Sequence, residues 1–224
     1  MKAFRLGLLA LLGFLVVPLP GVAPGIAHGQ KPPPKIELPR PGFELIAQDR
    51  GVSVYQNSSS NMIWIGAVGV IPAPADKIHK ALLDYEHQIG KIGRVAEVKV
   101  LEREPDSMYV YQRLSLPVIS DRDFTLRVVH GLDGNRRWIS YWAVTDHGPK
   151  PREGIVRVTR DRGVWELIPI PGGKSTLARY EMRMDLGGDL PLWMAKGNAG
   201  DEIPELYSSV CKLSLSESEA GTCP

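Results

Sequence analysis

Apolar and polar residues alternate with a period of two across much of residues 96–185, the pattern of half-buried strands. Turn residues such as Pro105-Asp106, Asp133-Gly134 and Gly172-Gly173 interrupt the alternation at intervals typical of antiparallel connections. The pattern predicts an antiparallel meander with strands near residues 96–104, 108–114, 123–130, 137–145, 154–161, 163–170 and 175–185.

The preceding region predicts a hairpin followed by a helix. Residues 52–56 alternate and residues 63–71 are mostly apolar, so they read as paired strands around a polar turn. Prolines at positions 72 and 74 end the second strand, and a second short helix is possible within residues 85–94. A helix over residues 76–84 is predicted by apolar residues at helical spacing, namely Ile78, Leu82 and Leu83.

The last long segment, residues 190–213, is amphipathic with a helical period. It predicts a C-terminal helix that Pro204 should kink or split. The order of strands, helix, strands and helix indicates an α+β fold, because an antiparallel sheet must bury one face. We expect a curved antiparallel sheet that grips the long C-terminal helix and leaves an apolar gap between the two.

The N-terminus has the pattern of a cleaved signal peptide. Lys2 and Arg5 precede an apolar run at residues 6–17, and small residues follow up to Ala27. The run is shorter than the roughly 20 residues that cross a bilayer, although a permanent anchor is the alternative. We expect cleavage near Ala27 and an exported protein, in the periplasm or the extracellular space, with the periplasm favoured.

The rest of the chain is expected to form one folded domain. Residues 28–41 are rich in proline, which favours extended geometry, and are predicted to be a spacer, with a docking motif as the alternative. The folded domain is predicted over residues 42–214, followed by a tail at residues 215–224. We expect a monomer.

Charge argues against a nucleic-acid partner. The chain has 27 lysines and arginines against 25 aspartates and glutamates, and loss of the signal peptide would leave it formally neutral. A nucleic-acid-binding domain usually carries a strongly basic stripe or balance.

The candidate metal and catalytic residues do not form a recognisable motif. Asp121 and Asp123 are spaced as a possible metal pair, but turn capping and ion pairing are favoured at this position. His87 follows Asp84 by one helical turn, which suits a dyad or a surface pair. The sequence has no nucleotide, serine-hydrolase or zinc-protease motif, so we expect no metal and no cofactor.

The sequence does not decide whether its two cysteines, Cys211 and Cys223, form a disulfide. In an oxidising compartment they could form a disulfide, whereas two free thiols are equally compatible with their spacing.

Residues 120–127 (SDRDFTLR) resemble the signature of the START domain, the steroidogenic acute regulatory protein-related lipid-transfer domain. The resemblance extends over residues 42–213, because further segments match in the same order. These segments are residues 51–55 (GVSVY), 98–102 (VKVLE), 109–116 (YVYQRLSL), 145–148 (TDHG) with Pro151, 154–157 (GIVR) and 184–191 (MDLGGDLP).

This resemblance implies a helix-grip fold with a tunnel that holds one lipid, such as a phospholipid or a sterol. It implies a carrier that contacts membranes transiently and is not an enzyme. The alternative is an enzyme of the wider superfamily, cyclase-like or hydrolase-like, using the same cavity. Some sterol-binding relatives carry a buried arginine–acid pair. Val128 stands at the arginine position, so the resemblance does not extend to sterol specificity.

Strand alternation sorts the candidate ligand-binding residues. The apolar sets of two strands should point inward, as cavity lining or as ordinary core. They are Phe124, Leu126 and Val128 on one strand, and Tyr180, Met182 and Met184 on the other.

Further candidates lie at the two ends of the expected tunnel. Candidates for meeting a lipid head group are Tyr111, Tyr141 and Arg113, the last of which is otherwise a surface charge. Trp193 and Met194 could cover the mouth of the tunnel as part of a helix that opens.

Overall fold

The computed structural model describes residues 30–60, 62–116, 119–188 and 199–224. Within these ranges the chain forms ten strands, two α-helices and two short 3-10 helices. The strands are β1 (Glu44–Asp49), β2 (Val52–Gln56), β3 (Ile63–Ile71), β4 (Val95–Arg103), β5 (Ser107–Leu114), β6 (Asp121–Asp133), β7 (Arg136–Val144), β8 (Ile155–Arg157), β9 (Arg160–Pro169) and β10 (Thr176–Asp185). The helices are α1 (Ala75–Leu83) and α2 (Ala199–Ser214), with 3-10 turns at Tyr85–Gln88 and Ala220–Thr222.

The described strands form one sheet in the order β1-β2-β3-β10-β9-β7-β6-β5-β4, with β8 beside β6. The predicted hairpin is β2 with β3, and the predicted meander holds along β4 to β7 and from β9 to β10. The strand expected near residues 154–161 is wrong as a single element. Residues 155–157 instead form β8, which pairs with β6 in parallel, and the chain starts β9 at Arg160.

Strand β1 is absent from the sequence-based prediction. It lies at the edge of the sheet, pairs only with β2 and has an irregularity between Leu45 and Ala47. An edge strand with little burial needs no clean alternation, because neither of its faces is fully covered.

Strands β3 and β10 join the two halves of the sheet. Nine consecutive residue pairs connect them, from Ile63 with Met184 to Ile71 with Thr176. The Thr176 hydroxyl also donates a hydrogen bond to the carbonyl oxygen of Ala73 at 2.7 Å. The N-terminal hairpin therefore lies beside the last strand, although the two are far apart in the chain.

Helices α1 and α2 cover one side of the sheet, which we call the inward face; the opposite side is the outer face. The helix predicted over residues 76–84 is α1, and the predicted C-terminal helix is α2 over its described part. Helix α2 continues through Pro204, so the proline does not split it, while residues 190–198 lie outside the described ranges. The two helices contact each other as well as the sheet, which is the expected helix-grip arrangement.

The core lies between this inward face and the helices. Ile78 of α1 is fully buried, and Ile203 and Val210 of α2 are buried against the strands. None of the helices in the described ranges is both long enough and apolar enough to cross a bilayer.

The proline-rich segment packs on the outer face of the sheet. Ile36 is 5% exposed, and the Arg40 guanidinium donates a hydrogen bond to Glu181 of β10 at 2.8 Å. Leu38 lies so close to β3 that a Cβ at Gly66 would come within 2.7 Å of its Cδ1. The folded unit therefore begins before residue 42, and part of the expected spacer belongs to it.

Cys211 and Cys223 form a disulfide, with their Cα atoms 5.8 Å apart. The bond ties the C-terminal segment to α2, where the Ser208 hydroxyl also donates to the carbonyl oxygen of Pro224. The structure thus decides between the two states that the spacing left open.

We expect reduction of this disulfide to lower the free energy of unfolding by about 3 kcal/mol, the loop-closure entropy for a loop of this length. Urea unfolding with and without a reductant measures the change. A variant carrying both Cys211→Ala and Cys223→Ala should unfold like the reduced protein and should not respond to the reductant. Equal stability of the oxidised and reduced proteins would contradict this expectation.

Candidate functional site

The inward face brings together most of the predicted ligand-binding residues. Phe124, Leu126 and Val128 of β6 are 4%, 3% and 0% exposed beneath the helices. Tyr180 and Met184 of β10 lie on the same face and are buried. These side chains point as the alternation predicts, and their contact with a ligand stays a prediction.

Part of this face is left uncovered by the helices. Tyr141 and Ala143 of β7 and Met182 of β10 are only half-buried, although both strands lie inside the sheet. Val110 and Val128 on the same face are fully buried. Tyr141, Ala143 and Met182 therefore keep some accessible surface on the face that the helices cover.

A hydrogen bond between two tyrosines crosses strand β9 on this face. Tyr141 lies opposite Gly163, and its hydroxyl is 2.8 Å from the hydroxyl of Tyr180 on the next strand. A Cβ at Gly163 would come within 2.3 Å of the Tyr141 hydroxyl oxygen, so only glycine leaves room for the Tyr141 side chain to cross β9. Burial raises the pKa of both tyrosines, which keeps the hydroxyl groups protonated.

Aromatic residues anchor helix α2 above the same region. The Trp165 ring stacks on Tyr180 with centroids 4.4 Å apart and lies 5.3 Å from the Tyr207 ring of α2. The Tyr207 hydroxyl points at the carbonyl oxygens of Ala178 and Ala67, at 3.2 and 3.3 Å. Helix α2 is therefore tied to β3 and β10 by polar contacts as well as by burial.

Asp161 places a carboxyl group on the inward face. It precedes Gly163 by two positions on β9, pairs with Met184 and is 6% exposed. Burial raises its pKa to about 7. No residue in the described ranges donates a hydrogen bond to its Oδ1 atom.

Tyr85 from the 3-10 turn after α1 is also buried in the core and interacts electrostatically with Tyr180 and Asp161. Burial raises the pKa of Tyr85, and the nearby Tyr180 and Asp161 raise it further. The pKa of Tyr141 is likewise raised by burial and by the nearby Tyr180 and Asp161. We call Asp161, Tyr85, Tyr141 and Tyr180 the Asp161 cluster.

Tyr111 and Arg113 lie on the outer face, away from the Asp161 cluster. The Tyr111 hydroxyl donates to Asp123 Oδ2 at 3.0 Å, and the Arg113 guanidinium forms ion pairs with Glu97 and Asp121. Their strand parity is opposite to that of Val110, so both side chains point away from the face that the helices cover. The structure thus separates these two head-group candidates from Tyr141.

The aspartates of residues 120–127 have structural partners. Asp123 is 1% exposed and accepts hydrogen bonds from Arg157 Nε at 2.6 Å and Nη2 at 3.1 Å. Arg157 also donates to the carbonyl oxygen of Pro149, so the pair holds the loop between β7 and β8 against the outer face. Both aspartates are in ion pairs, the alternative that the sequence favoured over a metal site. The described ranges contain no cluster of metal-ligating side chains.

Arg122 connects the start of β6 to the chain leaving β10. It is 3% exposed and donates to the carbonyl oxygens of Ser120, Leu186 and Gly187. These contacts lie just before residues 189–198. The predicted lid residues in that segment, Trp193 and Met194, lie outside the described residues.

The proposed histidine dyad is a surface pair. His87 Nδ1 lies 2.8 Å from Asp84 Oδ1, with both side chains at least half exposed.

Sequence reasoning did not select Asp161, Tyr85, Gly163 or Trp165. The usable signal for three of them is alternation along β9, which places residues 161, 163, 165 and 167 on one face. The predicted boundary between strands at residues 161–163 hid this alternation. Tyr85 could not be found this way, because it reaches the site from a separate 3-10 turn.

Solved structures with the same architecture identify the fold. A STAR-related lipid transfer protein from Xanthomonas axonopodis matches with a TM-score of 0.70 and 24% identity, over 77% of this chain and 98% of that one. Human STARD10 matches with a TM-score of 0.71 and 21% identity, over 80% of this chain and 75% of that one. The chain has the START-like helix-grip fold.

Human StAR-related lipid transfer protein 5 shares this START-like fold at a TM-score of 0.63 and 17% identity, over 78% of this chain and 86% of that one. No family model matches the sequence, and no curated protein matches it. At these identities the likeness establishes the START-like architecture, and function has to be argued from the site.

We expect the raised pKa of Asp161 to make stability depend on pH. The folded state keeps the carboxyl protonated between about pH 4 and 7 while the unfolded state ionises it, so stability falls as pH rises through this window. This group contributes a slope of about 1.4 kcal/mol per pH unit, which Asp161→Asn should abolish. Urea unfolding of both proteins across the window measures the difference.

The control for this experiment is Asp201→Asn, the same chemical change at an exposed position of α2. Its stability should track that of the unsubstituted protein at every pH. A constant difference between Asp161→Asn and the unsubstituted protein from pH 4 to 7 would show that Asp161 is ionised in the folded state.

We expect Gly163→Ala to displace the Tyr141 ring and to lower the free energy of unfolding by about 1–3 kcal/mol, the usual cost of overpacking. In a Tyr141→Ala background the obstruction is gone, so the same substitution should cost much less. A double-mutant cycle on these two positions measures the coupling. Additive effects would mean that Tyr141 does not lie over Gly163.

Proposed function

We propose that this protein is a non-catalytic carrier that holds a lipid between the inward face of the sheet and helices α1 and α2. The observation that carries the proposal is the half-buried surface of Tyr141, Ala143 and Met182 on strands inside the sheet. A mostly apolar space with a few polar groups is the usual form of a small-molecule site. The similar proteins named for lipid transfer support this choice of ligand.

The chemistry of the inward face suits an acyl or polycyclic ligand. Its lining is aliphatic and aromatic, with Phe124 and Leu126 on one side and Met182 and Met184 on the other. Burial of a methylene is worth about 0.8 kcal/mol, so a chain of about 15 methylenes supplies roughly 12 kcal/mol before ordering costs. Methionine side chains adapt to ligands of different shape. Affinity therefore needs few polar contacts.

We further propose that the protein is exported and exchanges its lipid during transient contact with membranes. The basic, apolar and small-residue order of residues 2–27 supports export. Arg122 holds Leu186 and Gly187, which come shortly before Trp193 and Met194 in the sequence, and we propose this later segment as the part that opens. Expression of the full chain, followed by N-terminal sequencing of the protein from the periplasmic fraction, tests the export step.

Lipid binding and transfer are tested with the purified protein. Solvent extraction followed by mass spectrometry should detect about one lipid molecule per protein molecule. The protein should also accelerate movement of a fluorescent phosphatidylcholine from quenched donor vesicles to acceptor vesicles. Ala143→Trp fills the proposed space from within the sheet and should weaken binding by about tenfold or more, which equals ~1.4 kcal/mol.

The matched control is Val70→Trp, which adds the same ring on the outer face, where Val70 is 45% exposed. Its binding and transfer should equal those of the unsubstituted protein. The proposal fails if no lipid co-purifies or binds from vesicles, or if both tryptophan variants transfer lipid normally. Turnover of a polar polycyclic substrate by a lipid-free protein would favour the enzyme alternative.

A further inference from the structure

We propose that the Asp161 cluster is a head-group subsite selecting lipids whose polar end is uncharged and carries a hydroxyl group. This inference rests on the proposed function, since it names the ligand class for the same space. It concerns a carboxyl and three tyrosine hydroxyl groups that β7, β9, β10 and the turn after α1 bring to one place on the inward face.

The first argument is the unsatisfied acceptor. Asp161 is 94% buried by surface and its Oδ1 accepts no hydrogen bond from the described residues. Buried polar atoms are nearly always paired, and leaving one unpaired is costly. A donor from the ligand would satisfy this oxygen. A hydroxyl group suits the position because it can donate to the carboxyl and accept from a tyrosine at the same time.

The second argument is the lack of a compensating cation. No lysine or arginine in the described ranges forms an ion pair with Asp161, and its sequence neighbour Arg160 is paired with Asp185 instead. The buried arginines have other partners: Arg122 is held by carbonyl oxygens and Arg136 by Glu166 and Asp133. A phosphate at the Asp161 cluster would therefore put an anion beside a buried carboxyl with nothing to balance it.

The third argument is the neutral character of the surroundings. Burial raises the pKa of Asp161 to about 7, and burial also raises the pKa of each tyrosine of the cluster. The three tyrosines of the cluster are thus uncharged phenols. Such a site stabilises neutral hydrogen-bonding groups and offers little to an ammonium group, which would lose its hydration.

A single-chain ligand series separates the head-group classes. Oleyl alcohol, oleyl methyl ether, oleylamine and oleyl phosphate share one chain and differ only at the polar end. Each is titrated from vesicles against a bound fluorescent lipid probe on the full protein. We expect the alcohol to bind at least about fivefold more tightly than the ether, because the ether cannot donate to Asp161. The phosphate should bind more weakly than the alcohol.

Two substitutions at Asp161 then test the assignment. Asp161→Leu should abolish the preference for the alcohol over the ether while binding of the ether is retained or improved. Asp161→Asn keeps the shape and hydrogen-bonding capacity and should retain much of the preference. Asp201→Asn on the exposed surface of α2 should leave the preference unchanged. Unfolding midpoints of all variants verify that each is folded.

The outcomes distinguish this inference from the proposed function. Equal binding of alcohol, ether and phosphate, with no effect of Asp161→Leu, overturns the subsite and leaves the carrier intact. If oleylamine binds most tightly and this binding is lost in Asp161→Asn, the site recognises the positive charge of the head group. That result would also overturn the inference. If none of the four ligands nor the fluorescent probe binds, the proposed function itself fails.

Discussion

The pairing of β3 with β10 is the contact on which the rest of the structure depends. It joins residues 63–71 to residues 176–184 through nine consecutive pairs and makes one sheet of an N-terminal hairpin and a later meander. Tyr207 of α2 is anchored to carbonyl oxygens of these same two strands. Helix α2 lies on β1, β2 and β3, and this pairing places it beside β10 and the rest of the inward face. Contacts so distant in sequence carry a large loop-closure cost before they contribute stability.

A sheet covered on one side by α1 and α2 has to bury its apolar face, yet here the cover is incomplete. Tyr141, Ala143 and Met182 keep accessible surface in the middle of the sheet. A buried carboxyl at Asp161 lies on the same face. Both features lower stability relative to a filled apolar core, because lost contacts and an unpaired polar atom each cost free energy. Departures of this kind are typical of functional sites, where a bound ligand can supply the missing packing contacts and hydrogen bonds.

The outer face carries several ion pairs and side-chain hydrogen bonds. Asp123 with Arg157 and Tyr111 holds the loop after β7. The proline-rich segment lies across β3 and β10 through Leu38 and Arg40. The residues that carry the family resemblance therefore serve both faces of the sheet: Asp123 supports the outer face, whereas Phe124 and Leu126 point inward.

Sequence by itself determined most of the strands, both helices and the direction of Phe124, Leu126 and Val128, because alternation and helical spacing are local properties, and the family resemblance added the helix-grip architecture. It could not reveal β1 or the parallel pairing of β8, since these follow from which strands become neighbours. The same holds for Asp161 and Tyr85, which lie far apart in the chain and meet only when β9 and the turn after α1 are assembled. Local periodicity decides which way a side chain points, and tertiary structure decides which other side chains it meets there.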